Sequence, residues 1–78
     1  MLHDNIEIIQ INISGEDKPG LTSSLTGILA HHDAFILDIG QSNIHQSLTL
    51  GILFMTTSER SGQIMKELLF KASEMNIQ

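Results

Sequence analysis

Ile9, Ile11 and Ile13 alternate with Gln10, Asn12 and Ser14, and alternation of β-branched with polar residues predicts a strand with one face buried. We read this strand from Ile6 to Ser14. Ile6 and Ile8 fall in the opposite phase, so at this end the second face of the sheet is apolar as well and leaves room for an interface. After Gly15-Glu16-Asp17-Lys18-Pro19-Gly20-Leu21, which reads as a strand-to-helix turn, Leu21, Leu25, Ile28 and Leu29 recur at helical spacing and predict a helix from Pro19 to His31. Gly27 weakens that helix by roughly 1 kcal/mol relative to alanine unless close packing uses the missing side chain. His31-His32-Asp33 ends it. Phe35 to Ile39 is rich in strand formers, with Phe35, Leu37 and Ile39 on one face and Ile36 and Asp38 on the other. This strand continues to Ile44, and Gly40 suggests a bulge or bend in it. His45-Gln46-Ser47 then connects to a third strand, Leu48 to about Thr56, apolar in both phases and therefore central. Thr57 and Ser58 are capping types ahead of Glu59, and Ile64, Met65, Leu68, Leu69, Ala72 and Met75 repeat at helical spacing through Asn76. Ile77-Gln78 reads as the first residues of another strand, and Met1 to Asn5 as a tail.

Composition narrows what such a unit can be. A chain of 78 residues makes one domain, and at this size only about 60% of the unfolded surface is buried. Without cysteine, neither a disulfide nor a thiolate metal site can supplement the core, which leaves oligomerisation or attachment to a larger chain. Nine acidic against four basic residues give a net charge of −5, and there are three aromatics, all phenylalanine. Phosphate contacts need clustered cations and single strands need stacking aromatics, so nucleic acid is excluded as a partner. No apolar run approaches the ~20 residues that cross a bilayer. Residues 1 to 5 have neither the basic region nor the apolar stretch of a signal peptide, so a membrane partner is not expected and the cytoplasm is the implied compartment.

The turn from Gly15 to Leu21 has two readings. One is a capping turn, with Asp17 accepting amide hydrogen bonds and Gly20 meeting a steric demand. The other is a ligand site, because the first amides of a helix lack partners and its dipole favours a carboxylate placed there. Asp17-Lys18-Pro19-Gly20-Leu21 after a β pattern, followed by an amphipathic helix and then Ile36-Leu37-Asp38-Ile39-Gly40-Gln41, resembles an ACT domain, the small amino-acid-sensing module of metabolic enzymes. The likeness covers Ile6 to Gln78 and is strongest to the N-terminal ACT domain of bacterial-type phosphoserine phosphatases, where Asp-Lys-Pro-Gly-Leu-Thr and Leu-Asp-Ile-Gly-Gln occur in the same order. It implies an α+β fold, the ferredoxin-like βαββαβ arrangement of an antiparallel sheet with two helices on one face. The order of predicted elements agrees, with the chain stopping before or within its fourth strand. It further implies a homodimer regulating serine biosynthesis, with serine or glycine lying between this turn of one subunit and strand two of its neighbour. Asp17, Lys18, Pro19, Gly20 and Leu21 would hold the ligand from the turn, and Asp38 and Gln41 from the strand. The bland reading of Asp38 is a charge on an edge strand that discourages unwanted pairing. Two other readings of the whole chain stay open: a structural dimerisation unit with a vestigial ligand site, and a stand-alone regulator of the glycine-cleavage type.

Other chemistry finds little support. His31 and His32 diverge by about 100° on a helix, His3 lies in the tail, and no His-x-x-x-His pair occurs, so no metal site is expected. Ser23, Ser24 and the histidines form no nucleophile elbow, and no glycine loop cradles a phosphate. The Asp-x-Asp-x-Thr nucleophile motif of the resembled phosphatases is missing. No catalytic residue or cofactor is therefore expected in these residues, and the magnesium ion such a hydrolase uses would belong to a catalytic part elsewhere.

Overall fold

The computed structural model describes residues 5–16 and 19–74, with the elements β1 (Ile6–Glu16), α1 (Leu21–His31), β2 (Phe35–Ile44), β3 (Ser47–Thr57) and α2 (Ser58–Glu74) in that order. β3, the strand apolar in both phases, pairs antiparallel with β1 on one side and β2 on the other, giving a sheet ordered β1-β3-β2. Leu48, Leu50, Ile52 and Phe54 project from β3 into one buried cluster with Ile13 of β1, Leu21, Leu25 and Leu29 of α1, and Ile64 and Leu68 of α2. Both helices thus cover one face of the sheet, the ferredoxin-like arrangement expected from the pattern. The opposite phase of β1 is open, and Ile6 and Ile8 are exposed there.

The differences from the sequence pattern have local causes. β1 runs through Gly15 and Glu16, which pair with Leu48 and Ser47 and so extend the ladder two residues into what reads as turn. The hairpin after β2 is shorter than expected: Ile44 pairs with Ser47, leaving His45 and Gln46 between the strands. The bend in β2 lies not at Gly40, which pairs in register with Gly51, but between Ile36 and Asp38. There Ile36 opposes Phe54 and Asp38 opposes Leu53, so Leu37 is an inserted residue, a β-bulge. The bulge reverses the phase of the strand. Phe35 and Ile39 therefore do not share a face: Ile36 and Ile39 sit opposite Phe54 and Ile52 on the helix side, while Phe35 and Asp38 sit opposite Met55 and Leu53 on the open side.

α1 starts at Leu21, two residues after Pro19, and ends where expected. Asp33 adopts φ 58°, its amide donates to Ala30 O at 3.1 Å, and the Ala34 amide donates to Leu29 O at 2.9 Å. These are the paired hydrogen bonds of a Schellman stop, which satisfy carbonyls the helix would leave unpaired. Beyond it, Arg60 of α2 donates to His32 O at 3.2 Å, and His32 Nε2 lies 2.9 Å from Glu67 Oε2, joining the end of α1 to α2. α2 is described to Glu74, so the expected helical positions Met75 and Asn76 and the strand start at Ile77-Gln78 lie outside the described residues, as does the tail through Asp4.

Candidate ligand site at the start of α1

Gly20 carries the conformation on which the turn depends. Its φ of 82° lies in the left-handed region, and an added Cβ would meet nothing within 4 Å, so the demand for glycine is set by the backbone angle and not by space. From there the chain enters α1: the Ser24 amide donates to Gly20 O at 2.9 Å, the first helical bond, and Ser23 Oγ donates to the same carbonyl at 3.3 Å. Among the described residues no side-chain hydrogen bond caps Gly20, and the first turn of α1 holds no acidic residue. The dipole at this end is therefore not offset within the helix, in contrast to α2, whose first turn contains Glu59. Leu21, 1% exposed, anchors the first turn in the core and fixes where the leading amides stand.

Of the residues expected to form a site, Pro19, Gly20 and Leu21 lie together at this end, and Asp17 and Lys18 lie outside the described residues. Gln41 joins them from β2. It faces the helix side opposite Leu50, its Oε1 accepts from Thr22 Oγ1 at 2.9 Å, and its Nε2 donates to Asn43 Oδ1 at 2.9 Å. Asp38 is on the other side of the sheet. It borders, with Gln10, Gly51, Ile52 and Leu53, a shallow depression of about 200 Å³, and its Oδ1 accepts the Ile39 amide at 2.9 Å. The two lie three residues apart in a regularly paired stretch, so strand alternation puts Asp38 on the open face and Gln41 over the helix.

Thr22 is the residue that pattern alone passes over. One position on from Leu21, it points about 100° away from the core stripe, toward β2, and Thr26 Oγ1 donates to its carbonyl at 3.0 Å one turn later. The result is a polar strip, Thr22-Gln41-Asn43, beside the start of the helix. Such a strip offers hydroxyl and amide groups to a zwitterion whose carboxylate rests on the helix amides.

A second polar cluster lies at the far end of α1. Glu67 accepts from Gln63 Nε2 at 3.0 Å and sits against His32, and the hydrogen bond from Gln63, then that from His32, hold its carboxyl below the ordinary 4.5. This cluster joins the two helices.

The family model of the ACT domain matches residues 7–78. A phosphoserine phosphatase of Mycobacterium tuberculosis is 42% identical over 45 residues, which are 58% of this chain and 11% of that one. The chain therefore spans a small part of that relative's length. Among solved structures, a protein described as a glycine cleavage system transcriptional repressor superposes with TM-score 0.87 at 15% identity, covering 94% of this chain and 43% of that chain. Formyltetrahydrofolate deformylase of Burkholderia mallei gives 0.82 at 14% identity, over 92% of this chain and 26% of that one. The ACT domain of GTP pyrophosphokinase from Chlorobium tepidum gives 0.63 at 25% identity, over 85% and 84% respectively. Among the described residues no helix is long and apolar enough to cross a membrane.

Proposed function

The chain belongs to the ACT-domain family, and from that membership we propose that it is a regulatory module of a phosphoserine phosphatase, a homodimer that binds a small amino acid, serine or glycine, at the start of α1. The observation that carries the reading is Gly20 at φ 82° leading into a helix end with no acid in its first turn and, among the described residues, no side-chain cap. Those amides suit a carboxylate, the group all amino acids share. Gln41, held beside them by Thr22, supplies polar contacts for the rest of the molecule. The phosphatase part of the proposal rests on the 42% identity over 45 residues, a stretch well short of the whole enzyme.

Regulation follows if the ligand favours one subunit arrangement over another, since only that difference in affinity can shift an equilibrium in the attached catalytic part. Titration calorimetry of serine, glycine and phosphoserine against the complete protein tests it. Saturable heat from serine or glycine is expected, abolished by Gly20→Val, because a β-branched residue cannot hold that φ without strain. Thr22→Val, which leaves the backbone angle untouched, should weaken binding without removing it. Binding that survives Gly20→Val in a folded protein removes the site. Silence from every amino acid, with a dimer still present in sedimentation, leaves the structural dimerisation unit.

A further inference from the structure

The open face of the sheet carries a pattern that the ligand site does not use. Reading across the three strands, Ile8 lies beside Met55 and Met55 beside Phe35; the next row is Gln10, Leu53, Asp38, and the next Asn12, Gly51, Gly40. Ile8 and Phe35 are 63% and 61% exposed, and Ile6, at 60%, extends the apolar end. In that third row the Asn12 side chain lies over Gly51, where an added Cβ would meet its Oδ1 at 3.2 Å, while Gly40 has nothing within 4 Å of such a position.

We propose that this face packs on the same face of a second copy of the chain, about a twofold axis running along β3. Such an axis lays β1 over the partner's β2, so each row meets itself reversed, as an isologous contact requires. Ile8 then covers the partner's Phe35 and Met55 covers the partner's Met55. In the next row, Gln10 lies over the partner's Asp38. The carboxamide NH₂ donates to the carboxylate, and the same pair forms again by symmetry, so the one acid in the apolar half gains a donor in place of water.

Charge and area favour this occupant. Among the described residues the cations are Arg60, Lys66 and Lys71, all on α2, so the open face has none to offer a lipid surface or another polyanion. Strands of 11, 10 and 11 residues at ~3.3 Å per residue and ~4.8 Å between strands give a face of roughly 500 Å². Two copies together reach the ~1,000 Å² that a specific interface needs. The inference deepens the homodimer within the proposed function by naming its surface. Because the amino-acid site lies on the helix side of the sheet, either can fail while the other stands.

Sedimentation equilibrium of the full chain, with circular dichroism as the check on folding, tests the proposal. A dimer is expected. Ile8→Lys and Phe35→Lys, each at a site exposed in the single copy, should separately raise the dissociation constant at least tenfold with the fold kept. Asp38→Lys should do the same, and adding Gln10→Glu should restore the dimer by reversing the pair. A wild-type chain that is monomeric at every concentration overturns the proposal. So does a dimer indifferent to both lysines, which would point to pairing along a strand edge. Failure of Gln10→Glu to rescue Asp38→Lys overturns the twofold axis along β3.

Discussion

Thr22 Oγ1 donates to Gln41 Oε1 at 2.9 Å, joining the first turn of α1 to the middle of β2 across 19 positions of sequence. The contact is at the surface, where a hydrogen bond contributes toward the low end of about 0.5–1.5 kcal/mol. Thr22→Val should therefore lower the melting temperature of the free protein by roughly 2–4 °C. Under the proposed function its larger effect is on the ligand. The rise in melting temperature produced by serine or glycine should shrink well beyond the change in the free protein, because Gln41 is no longer held toward the helix start. An equal ligand-induced rise in wild type and variant would remove Thr22 and Gln41 from the site.

The buried side of the same helix predicts changes of opposite sign. Leu25 is fully buried between the sheet and α2, and truncating a core leucine costs about 2–5 kcal/mol. For a domain of this length the whole stability is of order 4–12 kcal/mol, so Leu25→Ala should leave a large unfolded fraction near body temperature. Gly27, on the exposed side, behaves otherwise. The sequence allows it a packing role, yet a Cβ there meets nothing within 4 Å. Gly27→Ala should stabilise by about 0.5–1 kcal/mol, read as a higher midpoint in urea with unchanged slope.

Asp33 holds a left-handed conformation at φ 58° in the stop that ends α1, a position glycine fills without strain. A non-glycine residue there costs of order 1 kcal/mol. Asp33→Gly gives up the exposed 3.4 Å contact to Arg60, but Arg60 keeps its bond to His32 O, and an exposed ion pair contributes little. The expected outcome is a melting temperature a few degrees higher. A fall would mean that the Arg60 contact outweighs the strain.

How much of this was readable in advance depends on the range of the interaction concerned. The isoleucine alternation in β1, the two-sided β3 and the leucine stripe of α1 are local periodicities, each imposed by one buried face, and they lead to the fold without further information. The bulge at Leu37 is different. A single inserted residue leaves the run Phe35 to Ile39 looking like an unbroken strand, and only pairing with β3 reveals that Ile36 shares the helix side with Ile39 while Phe35 joins Asp38 on the open side. The Thr22-Gln41 contact is hidden for the same reason, since nothing near either residue in sequence names the other. Gly20 stands out in the sequence as a glycine meeting a steric demand, yet a Cβ there would meet nothing within 4 Å, and it is the left-handed backbone angle that selects its residue type.

Glu67 makes stability depend on acidity with a definite sign. Its carboxyl is held below the ordinary 4.5 by the hydrogen bond from Gln63 and then by that from His32, so the folded state binds its proton less readily than the unfolded chain does. A group with a depressed folded value contributes above its unfolded pKa and loses that contribution as pH falls through the folded one. The contribution is thus complete at neutral pH and disappears as the solution is acidified through and below 4.5. Glu67→Gln keeps the size of the side chain and removes the titration. Thermal melts taken from neutral to acid pH should show the variant somewhat less stable than wild type at neutrality, with the two curves converging at the acid end. Parallel curves across that range would assign the acid limb to other carboxylates and reduce the link between α1 and α2 to packing and the Arg60 contacts.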